Sequence, residues 1–117
     1  ARTDAQGRSC LEVVNDPVQA AQNVDVLYTD VWASMGQEEE QAIRAAAFAS
    51  YQINQKLLEV ANPDCIVMHC LPAHREEEIS EETFEGPHSV VFDQAENRLH
   101  AQNAIMATLM GHPESYL

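Results

Sequence analysis

Short apolar runs alternate along this chain with breakers and helix-starting patterns. Val24 to Asp30 (VDVLYTD) is rich in β-branched and aromatic residues and predicts a strand. Cys65 to Leu71 (CIVMHCL) is almost continuously apolar, as expected for a strand buried on both faces, and Pro72 ends it. Cys10 to Val14 and Ser89 to Phe92 are weaker strand candidates. Between these runs the apolar period lengthens to that of a helix. Asp16-Pro17 reads as N-cap and first helical position of a short helix through Ala20 and Ala21. Ser34 with Gln37 three residues on forms a capping box, and Glu38, Glu39 and Glu40 suit the positive end of a helix dipole. From there Ile43, Ala46, Ala47, Ser50, Ile53 and Leu57 recur at helical spacing and predict one long helix with one buried stripe, broken by Asn62-Pro63-Asp64. His74 to Glu85 is charged and irregular, with Ser80 able to cap a short turn and Glu76-Glu77-Glu78 read as a solvated face. Asp93 with Glu96 opens the last helix, Leu99, Met106, Leu109 and Met110 supply its apolar positions, and Gly111 ends it. Alternating strands and helices predict an α/β fold, a parallel sheet with helices on both faces.

At 117 residues and 45% hydrophobic composition there is room for one domain with a core. Six Lys+Arg against nineteen Asp+Glu give a net charge of -13, which argues against nucleic acid and against anionic membrane surfaces. No apolar run approaches the roughly 18 residues of a spanning helix. Three cysteines, Cys10, Cys65 and Cys70, are too few and too irregular for a secreted disulfide framework, so a reducing intracellular setting is expected.

Ligands of open parallel sheets bind outside the carboxyl ends of the strands. Two segments meet that condition. In Asp30 to Gly36, the carboxylate of Asp30 at a strand end suits an ammonium, and backbone N–H groups at Ser34, Met35 and Gly36 suit a carboxylate. Together they would hold a zwitterionic amino acid, although on chemistry alone an ordinary capped loop is the commoner meaning. In His69-Cys70-Leu71-Pro72, a strand ending at Pro leaves carbonyls without a sheet partner, free to accept from an amine. His69 and Cys70 point to opposite faces of a strand and pair poorly as base and nucleophile, so a buried Cys and a satisfied core His are the commoner meaning. Cys65, His69, Cys70 and His74 lack the spacing of a zinc finger or ribbon, and no metal site is expected from them. Arg98, early in the last helix, is a surface ion-pair partner or a group able to reach an anion near the helix start.

Three segments carry a more specific signal: Asp30-Val31-Trp32-Ala33-Ser34-Met35-Gly36-Gln37-Glu38, His69-Cys70-Leu71-Pro72-Ala73-His74-Arg75, and Phe92-Asp93-Gln94-Ala95-Glu96-Asn97-Arg98. With Tyr51-Gln52-Ile53-Asn54, they resemble the ornithine carbamoyltransferase family in order and spacing over nearly the whole chain. The resemblance implies a Rossmann-like second domain of a carbamoyltransferase, incomplete at its N-terminus, with residues 1–117 the C-terminal portion of the ornithine-binding domain. It implies transfer of the carbamoyl group of carbamoyl phosphate to L-ornithine, giving L-citrulline and phosphate in arginine metabolism, without a cofactor or metal. Asp30 would bind the ornithine α-ammonium, Ser34 and Met35 its carboxylate side, Cys70 and Leu71 the reacting amine and carbamoyl group, and Arg98 carbamoyl phosphate. The parent enzyme would be a homotrimer in the cytoplasm, or in the mitochondrial matrix of a eukaryote. The family's S-x-R-T phosphate loop, H-P-x-Q segment and G-D-x-x-N-N strand end do not occur in these 117 residues. The chain alone is therefore expected to be inactive. Glu76 stands where the family often has Gly. Two alternatives remain at this point: a non-catalytic chain that binds an amino acid or a partner subunit, and a carbamoyltransferase for another amine such as putrescine, against which the S-M-G loop speaks.

Overall fold

The computed structural model of the chain describes residues 2–3, 9–33 and 38–111. Ser34, Met35 and the Ser34/Gln37 capping box lie outside them. Arg2–Thr3 (β1) and Ser9–Leu11 (β2) pair antiparallel, so the first expected strand is shorter than Cys10 to Val14 and stands outside the parallel sheet. Helix α1 (Pro17–Ala21) starts as its sequence predicts, with the Asp16 side chain accepting from the N–H groups of Val18 and Gln19. Val26–Thr29 (β3) and Ile66–His69 (β4) form a parallel pair in the register Val26–Ile66 to Thr29–His69. The parallel sheet with its helices is thus present.

Burial in this sheet alternates. Val67 and His69 are buried with Leu27 behind them, whereas Val26, Tyr28 and Ile66 are exposed. The expectation that β4 is buried on both faces is corrected: the core lies on one face only, where Ile53, Ile79, Phe84 and Val91 pack against Val67. The expected single long helix is also corrected. It divides into α2 (Glu38–Phe48), a 3-10 turn (Ala49–Tyr51) and α3 (Gln55–Leu58). Between the last two, Ile53 leaves helical geometry to bridge Ile79. Its N–H donates to Glu78 O at 2.9 Å, and the Ser80 N–H donates to Ile53 O at 3.0 Å. Tertiary pairing here overrides helical periodicity. Ile53 and Leu57 are buried, but Ile43, at 72% exposure, does not share their stripe.

The fourth strand candidate reduces to one bridge. Ser89 lies beside Val67, fixed by Val67 N–H to His88 O (2.8 Å) and Val90 N–H to Val67 O (3.0 Å). Helix α5 then runs from Val91 to Met110 with Val90 as N-cap, three residues earlier than Asp93 predicts. The switch suits the side chains: Val91 is fully buried, and Phe92 meets Phe84 edge-on with ring centroids 5.5 Å apart. Gly111 ends α5 as expected, its N–H donating to Ala107 O. Leu99, Met106, Leu109 and Met110 are exposed and contribute nothing to this core. Among the described residues no helix is long and apolar enough to cross a membrane.

Ser80 caps helix α4 (Glu81–Phe84) as predicted. The loop before it departs from the solvated face expected for Glu76-Glu77-Glu78, because Glu78 is fully buried. Glu76 adopts φ 65°, a left-handed conformation that costs a non-glycine residue about 1–2 kcal/mol. Its side chain offsets part of that cost by accepting from the Glu81 N–H at 2.7 Å. Glu76→Ala keeps the backbone cost and loses this bond, whereas Glu76→Gly removes both. Chemical denaturation of the two variants is expected to show Glu76→Ala less stable than Glu76→Gly by about 1 kcal/mol. Equal stability would contradict the left-handed assignment.

Candidate functional site

The site is built from the carboxyl ends of β3 and β4 and the first turns of α5. After β4 the chain turns through Cys70, Leu71 and Pro72, with Leu71 at φ 57° and a cis peptide bond between Leu71 and Pro72. The turn is held from beneath. The Leu71 N–H donates to His69 Nδ1 at 2.8 Å, and His69 Nε2 lies 3.0 Å from Glu78 Oε1. Because Nδ1 accepts, the ring proton sits on Nε2 and is donated to the carboxylate. Glu78 Oε1 also accepts from the His74 N–H at 2.6 Å. A buried carboxylate thus fixes both the histidine at the strand end and the loop beyond it. His69 is the satisfied core histidine of the more conservative reading, and it does not activate Cys70.

Cys70 points the other way, towards Asp30 at the end of β3. The thiol's hydrogen bond to the Asp30 carboxylate, with a contribution from burial, pushes its pKa up from the ordinary thiol value. The same bond, together with the Val31 N–H donating to Asp30 Oδ1 at 2.7 Å, holds the Asp30 carboxyl below its usual range. A protonated thiol is a poor nucleophile. The pair instead presents a carboxylate and a neutral sulfur to an approaching ligand. Among the described residues, no backbone N–H donates to the carbonyls of Cys70 or Leu71, which leaves both available as acceptors.

Two clefts meet at Cys70 and Arg98. One, of about 660 Å³, runs past Leu71 and Ala73 to Arg75, Phe84 and Phe92. The other, of about 450 Å³, lies between Tyr28, Gln94 and Asn97. Arg98 is exposed and borders both, one helical turn beyond Gln94. Asp30, Cys70, Leu71 and Arg98 therefore converge on one end of the sheet. Ser34 and Met35, expected beside them, lie outside the described residues. Sequence reasoning missed Gln94 and Tyr28. Gln94 Oε1 accepts from the His69 N–H (3.0 Å), and its Nε2 donates to the Tyr28 hydroxyl (3.2 Å), which in turn bonds the Cys70 thiol. Two spacings pointed to them: Gln94 is four residues before Arg98 on one helix, and Tyr28 is two before Asp30 on one strand. The four residues Cys65, His69, Cys70 and His74, weighed as a zinc set, are not grouped by the fold. Cys65 meets His88 through its backbone carbonyl, and His69 meets Glu78.

An α/β domain with an acid, free carbonyls and an arginine at its strand ends carries candidate ligand-binding groups where open parallel sheets bind their ligands. Comparison with known proteins makes this specific. Residues 1–109 match the model of the aspartate/ornithine carbamoyltransferase Asp/Orn binding domain, and the chain belongs to that family. It is 67% identical over 97 residues to an ornithine carbamoyltransferase of Syntrophotalea carbinolica, covering 83% of this chain and 32% of the relative. It is 62% identical over 107 residues to one from Synechococcus sp., covering 92% and 35%. The chain thus spans about a third of the length of the curated relatives it matches. The solved ornithine carbamoyltransferase from Pyrococcus furiosus superposes with a TM-score of 0.73 at 56% identity, covering 79% of this chain and 29% of that one. The anabolic enzyme from Campylobacter jejuni gives a TM-score of 0.74 at 43% identity, covering 80% and 31%.

The Asp30–Cys70 contact makes a prediction that needs no substrate. Asp30→Asn removes the negative charge that keeps the thiol protonated and leaves only a weaker, neutral amide oxygen as acceptor, so the Cys70 pKa falls. Alkylation of Cys70 by iodoacetamide at mildly alkaline pH, read by peptide mass spectrometry, is expected to accelerate several-fold in Asp30→Asn. The contact is present above the lowered Asp30 pKa and is lost as the pH falls through it. An alkylation rate that is unchanged or slower would contradict the pairing.

Proposed function

We propose that this chain supplies the amino-acceptor half of an ornithine carbamoyltransferase, which converts carbamoyl phosphate and L-ornithine to L-citrulline and phosphate. The observation that carries the reading is the convergence of Asp30, Cys70 and the free Cys70 and Leu71 carbonyls at the ends of β3 and β4. It is supported by the 67% and 62% identity to proteins named for that activity. Asp30 pairs with the α-ammonium of ornithine, and Ser34 and Met35 hold its carboxylate side. The Cys70 and Leu71 carbonyls accept N–H bonds from the δ-amine and the carbamoyl group. Arg98 offsets charge on carbamoyl phosphate. The neutral δ-amine attacks the carbamoyl carbon; the new C–N bond forms as the C–O bond to phosphate breaks, and the amine loses a proton. Nothing in this scheme calls for a covalent cysteine intermediate or a cofactor, because rate is gained by positioning and by charge stabilisation.

The reading carries a role in arginine metabolism, a homotrimeric parent enzyme and a cytoplasmic setting, or the mitochondrial matrix in a eukaryote. The S-x-R-T phosphate loop that the family resemblance implies does not occur in these 117 residues, so the isolated chain is expected to make no citrulline. A carbamoyltransferase for another amine is the competing reading. Kinetics of the full-length enzyme with ornithine and putrescine as rival acceptors separate the two.

Asp30→Asn in the full-length enzyme is expected to lower kcat/KM for ornithine about 10- to 100-fold, since a charge-assisted hydrogen bond is worth about 1.5–3 kcal/mol. The KM for carbamoyl phosphate should stay nearly constant. Cys70→Ala should slow turnover moderately and leave measurable activity. Wild-type ornithine kinetics in Asp30→Asn, or a carbamoyl thioester trapped on Cys70, would overturn the assignments.

A further inference from the structure

Glu78 does more than hold His69. Its side chain is fully buried, and Oε1 takes two donors, His69 Nε2 at 3.0 Å and the His74 N–H at 2.6 Å. Oε2 is buried as well and, among the described residues, has no hydrogen-bond partner. A buried carboxylate oxygen without a donor is costly, and native structures keep few of them. What lies beside this carboxylate is chemically informative. The His74 ring and the Glu77 carboxylate each bring a ligand-type atom to it, and the three groups offer atoms within 4.8 Å of one another. His74 is exposed and Glu77 half-buried, so this corner opens to solvent from one side while the Glu78 oxygen closes it on the other.

We propose that His74, Glu77 and Glu78 form a binding site for a single divalent transition-metal ion. One imidazole and two carboxylates are a mixed nitrogen and oxygen set, which suits Mn²⁺, Fe²⁺ or Zn²⁺ better than Mg²⁺ or Ca²⁺. Metal–ligand bonds of about 2.0–2.2 Å bring ligand atoms to roughly 3–3.5 Å from each other. Rotation of the exposed His74 side chain supplies that contraction. The ion gives Glu78 Oε2 the partner it lacks and leaves Oε1 on His69. Gln41 Nε2 already donates to Glu77 Oε1 at 2.8 Å and orients that carboxylate from α2. Such hydrogen bonds to ligating groups are typical of metal sites. The ion would be structural: it fixes the carboxylate through which His69 holds Leu71, and it makes no contact with the Asp30–Cys70 pair. The set shares only His74 with Cys65, His69, Cys70 and His74, which do not converge on one point among the described residues.

Titration of the 117-residue chain with Mn²⁺, followed by the electron paramagnetic resonance of the free ion, tests this. Mn²⁺ is hard enough to leave the thiols alone. Salt at about 0.1 M with excess Mg²⁺ suppresses the diffuse attraction of an acidic surface. A single Mn²⁺ is expected to bind, with affinity falling about tenfold or more in His74→Ala and in Glu77→Gln and unchanged in Cys70→Ala. Paramagnetic broadening of amide signals in the wild-type chain should centre on residues 73–79, which keeps the test independent of how the variants fold. Absence of stoichiometric binding, binding that survives both substitutions, or broadening centred on Asp30 and Cys70 would overturn the proposal.

Discussion

The site depends on one buried ionisable contact, Glu78 to His69. A carboxylate with no exposure is placed beneath the end of β4, where it takes a proton-bearing nitrogen from the ring and a backbone N–H from the returning loop. The other ring nitrogen then accepts from Leu71. Backbone groups that no strand or helix can satisfy are thereby paired, as buried polar groups must be. The consequence is geometric. Leu71 is locked in a left-handed conformation, Cys70 is turned towards Asp30, and among the described residues no backbone N–H donates to the carbonyls of Cys70 and Leu71. Truncating either member of such a pair would leave the other buried and unpaired, which is more damaging than losing the net strength of the bond.

The electrostatics of the exposed side follow from this arrangement. Asp30 gains a thiol and a backbone N–H and becomes a more persistent carboxylate; Cys70 gains an anion as neighbour and becomes a more persistent thiol. This separates the roles of the two residues that sequence alone leaves ambiguous. His69 is spent on the core and Cys70 is held protonated, so the tempting His–Cys couple is not a base and a nucleophile. Gln94 ties the same strand end to α5 and so sets where Arg98 stands relative to Cys70. Arg98 is one of six Lys+Arg in a chain of net charge -13, and it borders both clefts.

Features governed by local chemistry were legible in the sequence. Asp16-Pro17, Ser80 and Gly111 act as caps because a cap needs only its own helix. The strand cores of β3 and β4 follow from their β-branched content. What failed was set by distant partners. Ile43 has helical spacing with Ile53, but Ile53 pairs its backbone with Ile79 and breaks the period. Ser89 to Phe92 has strand-like composition, yet only Ser89 bridges, because Val91 is needed in the core at a helix start. Glu78 sits in a run of three glutamates, and nothing local distinguishes it from its solvated neighbours. Of the residues that the sequence singles out, Asp30, Cys70, Leu71 and Arg98 lie together at one end of the sheet, and Ser34 and Met35 fall outside the described residues. Tyr28 and Gln94 escaped notice because a strand tyrosine and a helix glutamine are ordinary until their partners are known.

The direct test of this account is the tautomer of His69. In the ¹⁵N-labelled chain at neutral pH, long-range ¹H–¹⁵N correlations report which ring nitrogen carries the proton. The account predicts a neutral ring with the proton on Nε2 and Nδ1 shifted as a hydrogen-bond acceptor, a pattern that changes in Glu78→Gln. A proton on Nδ1, or a ring in fast exchange between tautomers as in a free histidine, would contradict it.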